Sequence, residues 1–517
     1  MRVKLPFIGG QYQSRSKSVD VQETINYYPE REDGDSKSIA AYIGTPGLQL
    51  LTTLTDASGN PAATAPRGLY VTGSGRMFSV NNSHLYEIFS NGLFIIRGTL
   101  NTGAGYAYMI DNGVQMLVTD GTYGYVYDMV GNNLAVIPQG EQIINSVASV
   151  FPTNPGTVAY RDGIFLVNLV GTPKFWGSAA YDAFTWPVSH NFVKETDSDP
   201  VTAIVSTATY LWIFGARTTE LWYSTGTDAI GNPPFARAQE MVLDVGTQAP
   251  SSVATNGNDV FWLGSNPQGG NVVWQANAFT PTRLTTHAEE FLIGQIGYTQ
   301  DATGYCYQQE GHFFYVVNFP SGARTHCYDQ TTKLWHRRAH WNKNTGRFES
   351  HLVLFAASFG TGSVYGLDRR NGNIYTFNLD NYSDNGDPIR RVRTMMHTHK
   401  DQKWLYVYGF EIDMQKGVGL GDGTINQTSG TSTTTTNYGD SDLNDNPQMA
   451  LQWSKDGGYT WSKEHWASMG KIGAFKQRVQ WAIGMGKSRD WVFRLSTFAK
   501  VKMVLIAAYA DIEVEAA

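Results

Sequence analysis

The chain has 517 residues, of which 16% are charged and 13% aromatic, and it contains 54 glycines. Few charges together with many aromatic and glycine residues are typical of a strand-and-turn protein rather than a helical one. Its formal net charge of -6 argues against a surface that grips nucleic acid by counterion release. At this length we expect several domains or one large closed repeat domain.

Residues 1–60 carry little repeat signal. An aromatic stretch at 26–29 precedes a polar turn, and Pro46-Gly47 marks a second turn. We expect this segment to be an extended N-terminal arm, packed on the body or on a neighbouring subunit. The apolar patch at the start is too short for a signal peptide, and no apolar run approaches a membrane span, so we expect a soluble protein.

Between residues 61 and 388 one unit recurs: short β-rich runs separated by Gly, Ser or Asn turns, with aromatic residues at similar places. About seven such units follow at a period of roughly 45–50 residues, which is the spacing of propeller blades. They lie at 68–98, 113–138, 163–186, 210–223, 259–284, 312–337 and 354–379. None could bury its own apolar face, so each needs a similar neighbour. The sequence therefore predicts an all-β fold with a β-propeller of about six or seven blades. Unrelated hairpins in several sandwiches are the alternative.

After the turn at 385–388 the pattern changes to more highly charged alternating strands. Residues 389–517 predict a C-terminal β-sandwich, interrupted by a polar low-complexity loop at 416–447. That loop lacks the apolar content to pack, and we expect it to be mobile or ordered by a partner.

One turn motif is specific. The sequence from 454 to 461 matches the pattern S-x-D-x-G-x-T-W, called an Asp-box, through Ser454, Asp456, Gly458, Thr460 and Trp461. In such a turn the Asp carboxylate accepts backbone N–H groups, Gly permits the tight bend and Trp packs beneath. The motif resembles those of sialidases, where it lies away from the active site. We interpret it as a structural turn, with a weaker echo at 182–186.

Candidate metal sites are weak. The acidic run 440–445 begins like a calcium loop but lacks the glycine and glutamate that such a loop needs. His397 and His399 share one face of a predicted strand, but no third ligand is evident. We expect no metal, no cofactor and no catalytic residue. Cys306 and Cys327 are expected to be buried free thiols, although a single bridge is possible.

The most basic cluster is Arg390, Arg391 and Arg393, with Lys400 and Lys403 nearby. Strand alternation places Arg391 and Arg393 on one face. We expect that face either to be solvated or to contact a partner subunit or the phosphates of DNA in a channel.

Several spaced segments together resemble a known family. They are Leu5-Pro6, 26–29, Pro46-Gly47, 159–163, 214–222 and the stretch from 478 to 495. The chain resembles the packaged-DNA stabilisation proteins of short-tailed double-stranded DNA bacteriophages, also called tail hub or nozzle proteins. The likeness is strongest between about residues 158 and 225, and the 416–447 loop has no counterpart in it.

The resemblance implies a structural tail component of the virion, assembled in the host cytoplasm. It would form a ring, with six copies expected, below the head-to-tail connector. There it would close or extend the DNA channel, retain the packaged genome and anchor spikes or fibres, with a needle or plug as a further partner. DNA would pass a weakly acidic wall without sequence-specific binding.

Two other functions remain open at this stage. A sialidase-like propeller glycosidase would need a central pocket with paired carboxylates and arginines. A glycan-binding module would use aromatic-rich loops.

Overall fold

The computed structural model describes residues 1–31, 39–61, 66–144, 146–226, 234–265, 270–277, 279–360, 362–418, 424–429, 432–437 and 446–515. Nearly all of its regular structure is antiparallel β-sheet. The described part contains one α-helix, His287–Gly294, and one short 3-10 helix, Pro250–Ser252.

Seven four-stranded antiparallel units form the blades of a propeller. Blade 1 consists of Pro66–Val71, Met77–Asn81, His84–Ile88 and Phe94–Thr99. Blade 2 consists of Tyr108–Asp111, Gln115–Thr119, Gly124–Asp128 and Asn133–Val136. Blade 3 consists of Pro155–Arg161, Ile164–Leu169, Lys174–Gly177 and Asn191–Val193. Blade 4 consists of Val201–Ser206, Leu211–Gly215, Thr219–Ser224 and Phe235–Leu243. Blade 5 consists of Ala254–Asn256, Asp259–Gly264, Val272–Asn277 and Thr280–Arg283. Blade 6 consists of Thr303–Gln309, His312–Phe319, Arg324–Asp329 and Leu334–Arg337. Blade 7 consists of Val353–Phe359, Ser363–Asp368, Asn373–Asn378 and, from the start of the chain, Gly47–Thr53. Each predicted unit falls in one of these blades.

The ring is closed by the N-terminal part of the chain. Gly47–Thr53 pairs antiparallel with Asn373–Asn378 and becomes the fourth strand of blade 7. Seven apolar clusters lie between successive blades, the last of them between blades 7 and 1. Between blades 4 and 5, for example, the Phe214 and Trp262 rings pack edge to face with centroids 5.4 Å apart. Each meander therefore buries its apolar faces against its neighbours, as the sequence predicted.

A β-sandwich follows the propeller, and its strands come from both ends of the chain. Sheet A contains Arg2–Leu5, Tyr27–Arg31, Ala40–Gly44, Leu405–Met414, Val479–Trp481, Gly486–Ser488 and Val504–Val514. Sheet B contains Tyr12–Gln13, Val21–Ile25, Arg391–Thr394, Thr398–His399, Gln448–Ser454, His465–Ser468 and Asp490–Thr497. A single apolar cluster fills the space between the two sheets, including Tyr42, Phe410 and Phe493. The predicted all-β propeller with a C-terminal sandwich is confirmed.

The described part of segment 1–60 packs on the body of the same chain, which is one of the two arrangements expected for it. Its strands occupy both sheets of the sandwich and then the last blade. Several of these strands have partners more than 300 residues away in the chain, as in the pairing of Arg2 with Asp511, of Thr24 with Arg393 and of Gly47 with Asn378. A local sequence pattern carries no information about such distant pairing, which is why the segment resembles an arm in the sequence.

Propeller and sandwich share one continuous sheet. Val21–Ile25 pairs antiparallel with Arg391–Thr394 of sheet B and, through Ile25 and Arg337, parallel with the outer strand of blade 6. A sheet that runs through both domains opposes bending between them.

Four short strand pairs complete the described structure. One of them, Ser383–Asp384 with Asp387–Pro388, extends the sheet of blade 7, where Asp384 pairs parallel with Leu48. The other three are separate two-stranded sheets: Gly140–Ile144 with Val147–Phe151, Ala339–Asn342 with Arg347–Ser350, and Thr424–Ser429 with Ser432–Asn437. The last pair forms a hairpin within the polar stretch 416–447. The acidic run 440–445 lies outside the described residues.

Candidate functional site

The segment with the strongest family likeness, 214–222, bends around a buried carboxylate. Asp199 Oδ2 accepts hydrogen bonds from the backbone N–H groups of Arg217 at 2.6 Å and Thr218 at 3.2 Å. Asp199 also pairs with the buried ammonium of Lys194, whose Nζ donates to Thr218 Oγ1 at 2.5 Å. Burial raises the pKa of Asp199, but the hydrogen bonds from Lys194 and Arg217 outweigh it and hold that pKa below its ordinary value.

A second buried acid fixes the same crossover between blades 3 and 4. Glu220 is 0% exposed, and its Oε1 accepts the backbone N–H groups of Glu195 at 3.0 Å and Thr196 at 2.6 Å. Its Oε2 accepts the indole N–H of Trp222 at 3.0 Å. The sequence did not single out Lys194, Asp199 or Glu220, because a short polar stretch such as 194–199 normally lies in solvent. The hydrogen bonds of these buried acids thus hold the backbone of residues 194–222 in place inside the fold.

The other segment of strong likeness, 159–163, forms the turn between the first two strands of blade 3. Asp162 and Gly163 adopt positive φ angles of 49° and 88°. Arg161 reaches across to the equivalent turn of blade 4, donating to the carbonyl oxygens of Thr207 at 2.6 Å and Thr209 at 3.0 Å. This arginine therefore ties two blades together.

Two arginines of the basic cluster, Arg391 and Arg393, lie inside the subunit. Arg393 is 0% exposed, and its guanidinium donates to the carbonyl oxygens of Phe7 at 3.0 Å and Gly10 at 3.3 Å. It also donates to Gln22 Oε1 at 2.7 Å and Thr24 Oγ1 at 2.8 Å. The prediction that this side chain contacts a partner subunit or channel DNA does not fit this position. Alternation did place Arg391 and Arg393 on one face, but the N-terminal strands cover that face.

Of the two neighbouring arginines, Arg391 is buried like Arg393 and Arg390 is partly exposed. Arg391 is 1% exposed and donates to the Thr45 carbonyl at 3.4 Å, so it is likewise not available to a partner. Arg390 is partly exposed and stacks over Trp341, with Cζ 4.3 Å from the ring centre, while Nη2 lies 3.4 Å from Glu464 Oε1. Burial lowers the pKa of all three guanidinium groups.

The five Asp-box residues form one turn between two strands of sheet B. Asp456 Oδ1 accepts the backbone N–H groups of Tyr459 at 3.0 Å and Thr460 at 2.9 Å, and Gly458 N–H donates to Ser454 Oγ at 2.8 Å. Despite the opposing effect of desolvation, hydrogen bonds from Ser454 and Thr460 lower the pKa of Asp456 to about 2. All of these hydrogen bonds join the Asp456 carboxylate to residues of its own turn.

Trp461, the last residue of the motif, carries the guanidinium of Arg494 on its ring, with Cζ 3.9 Å from the ring centre. In the echo of the motif at 182–186, Asp182 accepts the backbone N–H of Phe184 at 2.9 Å and the hydroxyl of Thr185 at 2.7 Å.

Within the described residues no group of three or more His, Cys, Asp or Glu side chains is arranged to hold a metal ion. His397 Nδ1 lies 2.7 Å from Asp490 Oδ1, and its Nε2 lies 2.8 Å from the Lys17 carbonyl. Both ring nitrogens are therefore occupied by the protein. Cys306 and Cys327 are free thiols in blade 6, and burial raises the pKa of both. The described part of the chain contains no helix long and apolar enough to span a membrane.

A cavity of about 220 Å³ lies among the inner strands of the propeller. Tyr106 and Phe355 meet edge to face across it with ring centroids 5.5 Å apart, and the hydroxyls of Tyr108 and Ser251 lie 2.7 Å apart. Among the described residues that line it there is no Asp, Glu, Lys, Arg or His. Its polar groups can orient a small neutral molecule but offer no general acid, base or carboxylate clamp.

Two family models match the chain. The first, described as Bacteriophage P22 Gp10, beta-propeller, matches residues 3–381, and the second, described as Bacteriophage P22 Gp10, beta-sandwich, matches residues 390–513. The chain belongs to the P22 Gp10 family. This match confirms the resemblance to phage DNA-stabilisation proteins, and the chain is a phage structural protein. The hydrogen-bonded segments 159–163 and 194–222 lie within the part that matches the propeller of this family. No curated protein matches it at a significant level.

Similar solved structures match at low sequence identity and with TM-scores below 0.5. The extracellular domain of a protein described as a hybrid two-component system from B. thetaiotaomicron matches at 8% identity and a TM-score of 0.43, covering 73% of this chain and 44% of that one. PorZ, a component of the type-IX secretion system of Porphyromonas gingivalis, matches at 12% identity and a TM-score of 0.37, covering 74% and 43%. The WD40 beta propeller domain of Doa1 matches at 11% identity and a TM-score of 0.38, covering 64% and 97%. The chain thus spans less than half the length of the first two.

Proposed function

We propose that this protein is the ring-forming tail hub, or nozzle, of a short-tailed phage. In this proposal six copies assemble below the head-to-tail connector, close or extend the DNA channel, retain the packaged genome and anchor tail spikes or fibres. A needle or plug would complete the closure. The subunit is made in the host cytoplasm and acts in the virion. The family match over residues 3–381 and 390–513 carries the proposal.

The physical properties of the subunit are consistent with this role. A sheet shared between propeller and sandwich gives a stiff body, and a ring that contains a pressurised genome requires stiffness. The formal net charge of -6 lets duplex DNA pass without adhering, because affinity for phosphate rises with each neutralising Lys or Arg.

The proposal includes the absence of catalysis. The central cavity is where a propeller glycosidase would place its carboxylates and arginines, and the described lining offers none. Buried acids elsewhere, such as Asp199 and Glu220, are saturated by hydrogen bonds within the fold. A fluorogenic sialoside assay is expected to show no turnover, and turnover by the purified chain would contradict this part of the proposal.

Assembly on virions provides the direct test. Phage particles made without this chain should package DNA and then release it, which is measured as DNase-sensitive genome after packaging. Adding the purified chain to connector-bearing heads should restore DNase resistance. Electron microscopy of the restored particles should show a six-fold ring at the connector. Particles that retain their DNA without the chain, or a chain that stays monomeric on heads, would refute the proposal.

A further inference from the structure

One side of the sandwich differs in character from the rest of the molecule. There the edge strand of sheet B, His465–Ser468, lies beside Val479–Trp481, which together with Gly486–Ser488 forms an edge of sheet A. The indole N–H of Trp481 donates to the His465 carbonyl at 2.7 Å and fixes the two edges together. We call this surface, residues 465–489, the sandwich edge.

The sandwich edge exposes large apolar side chains on its strands and connecting loops. Ile472 is 63% exposed and Phe475 is 71% exposed, both in the loop between the two sheets. Trp466 is 46% exposed on the strand before that loop, and Ile483 is 38% exposed in the turn after Trp481. The loop is held in place, since the Gly473 N–H donates to the Gly417 carbonyl at 3.1 Å.

The segment that forms this surface carries only positive charges. Residues 465–489 contain five Lys or Arg and no Asp or Glu, in a chain with 39 basic and 45 acidic residues. The five are Lys471, Lys476, Arg478, Lys487 and Arg489. Among the described residues Arg478 is neutralised by Glu411, whereas Lys471 and Lys476, which flank Ile472 and Phe475 in the loop, form no ion pair.

Exposed apolar side chains flanked by free lysines are the chemistry of a lipid headgroup interface. Lysines at a sheet edge can simply prevent strand pairing between molecules, but exposed Ile and Phe beside them would defeat that purpose. Duplex DNA would satisfy the lysines and leave the apolar side chains in water. An anionic bilayer satisfies both, because headgroups attract the lysines and the acyl boundary accepts Ile, Phe and Trp.

We infer that the sandwich edge binds the surface of an anionic lipid bilayer without spanning it. Phe475 and Ile472 enter the headgroup boundary, and Lys471 and Lys476 contact lipid phosphates. This goes beyond the proposed role in the tail ring and does not depend on it, since the surface belongs to a single chain.

Co-sedimentation of the full chain with lipid vesicles tests the inference. The chain should bind vesicles of phosphatidylcholine with about one-third phosphatidylglycerol, release them as salt rises, and bind pure phosphatidylcholine weakly. The double variant Lys471→Gln/Lys476→Gln should bind the anionic vesicles about 30-fold more weakly, since each lysine near such a surface contributes about a factor of five. Ile472→Ser/Phe475→Ser should lose about tenfold or more, even at low salt.

Matched controls use exposed apolar residues of the propeller. Leu93→Ser and Ile143→Ser, at positions 65% and 82% exposed, should bind anionic vesicles as the parent does. Unchanged thermal unfolding of each variant establishes that it is folded. No binding of the parent to anionic vesicles, or equal binding by the edge variants, would overturn the inference. It would also be overturned if these variants lost only DNA binding or self-association.

Discussion

Asn26 joins the propeller, the sandwich and the N-terminal strands, and its replacement should weaken all three. It is 2% exposed, has φ of 57°, and lies where the chain crosses from sheet B to sheet A. Its Nδ2 donates to the carbonyl oxygens of Ala339 at 2.9 Å and Arg390 at 2.8 Å, and its Oδ1 accepts the Ala339 N–H at 2.9 Å. Three hydrogen bonds, two of them buried and one partly buried, at about 1 kcal/mol each give about 3 kcal/mol.

The Asn26→Ala variant should also pay for the left-handed backbone, which costs about 1 kcal/mol with alanine. Asn154 provides the matched control, since its φ is 53° and its exposed side chain makes no hydrogen bond within the described structure. We therefore expect a loss of about 4 kcal/mol for Asn26→Ala and about 1 kcal/mol for Asn154→Ala in the free energy of unfolding. Urea unfolding followed by tryptophan fluorescence measures both. Equal losses would show that the three hydrogen bonds contribute nothing net.

Lys194→Met should destabilise the chain by about 3–5 kcal/mol in urea unfolding, because it leaves the Asp199 carboxylate buried without its cation; a double-mutant cycle with Asp199→Asn should return a large coupling energy. Trp262→Ala should cost about 3–5 kcal/mol by calorimetry, since it empties the cluster between blades 4 and 5. The pKa of Asp456 is about 2 in the folded chain and 3.8 ordinarily, so its stabilisation is complete above about pH 4 and is lost as pH falls towards 2. Parent and Asp456→Ala should therefore differ at pH 7, by about 1 kcal/mol after allowance for exposure, and converge near pH 2; a constant difference would contradict this. Burial lowers the pKa of His336 from 6.5 to about 4, so the unfolded chain binds the proton first and stability falls as pH drops from 6.5 to 4. His336→Leu should move acid unfolding to lower pH, and an unchanged acid transition would refute that assignment.

The repeating pattern of aromatic runs and turns was enough to predict the propeller, because each blade is a local meander whose strands pair with their sequence neighbours. Local pairing leaves a trace in the spacing of residues, and so do turns such as the Asp-box, in which Asp456 binds backbone groups within four residues of itself. The family likeness at 159–163 and 214–222 is also visible in the sequence, because each segment needs specific residues for its turn and its buried hydrogen bonds.

The N-terminal strands and the charged core depended on tertiary structure. Thr24 pairs with Arg393 across 369 residues, and no sequence pattern near either position indicates that the two are partners. For the same reason alternation predicted that Arg391 and Arg393 share a face but not that this face is covered. The sequence by itself determined the repeating unit, the fold class and the family; which charges are buried was decided by long-range contacts, because burial depends on what packs against a strand and not on the strand alone.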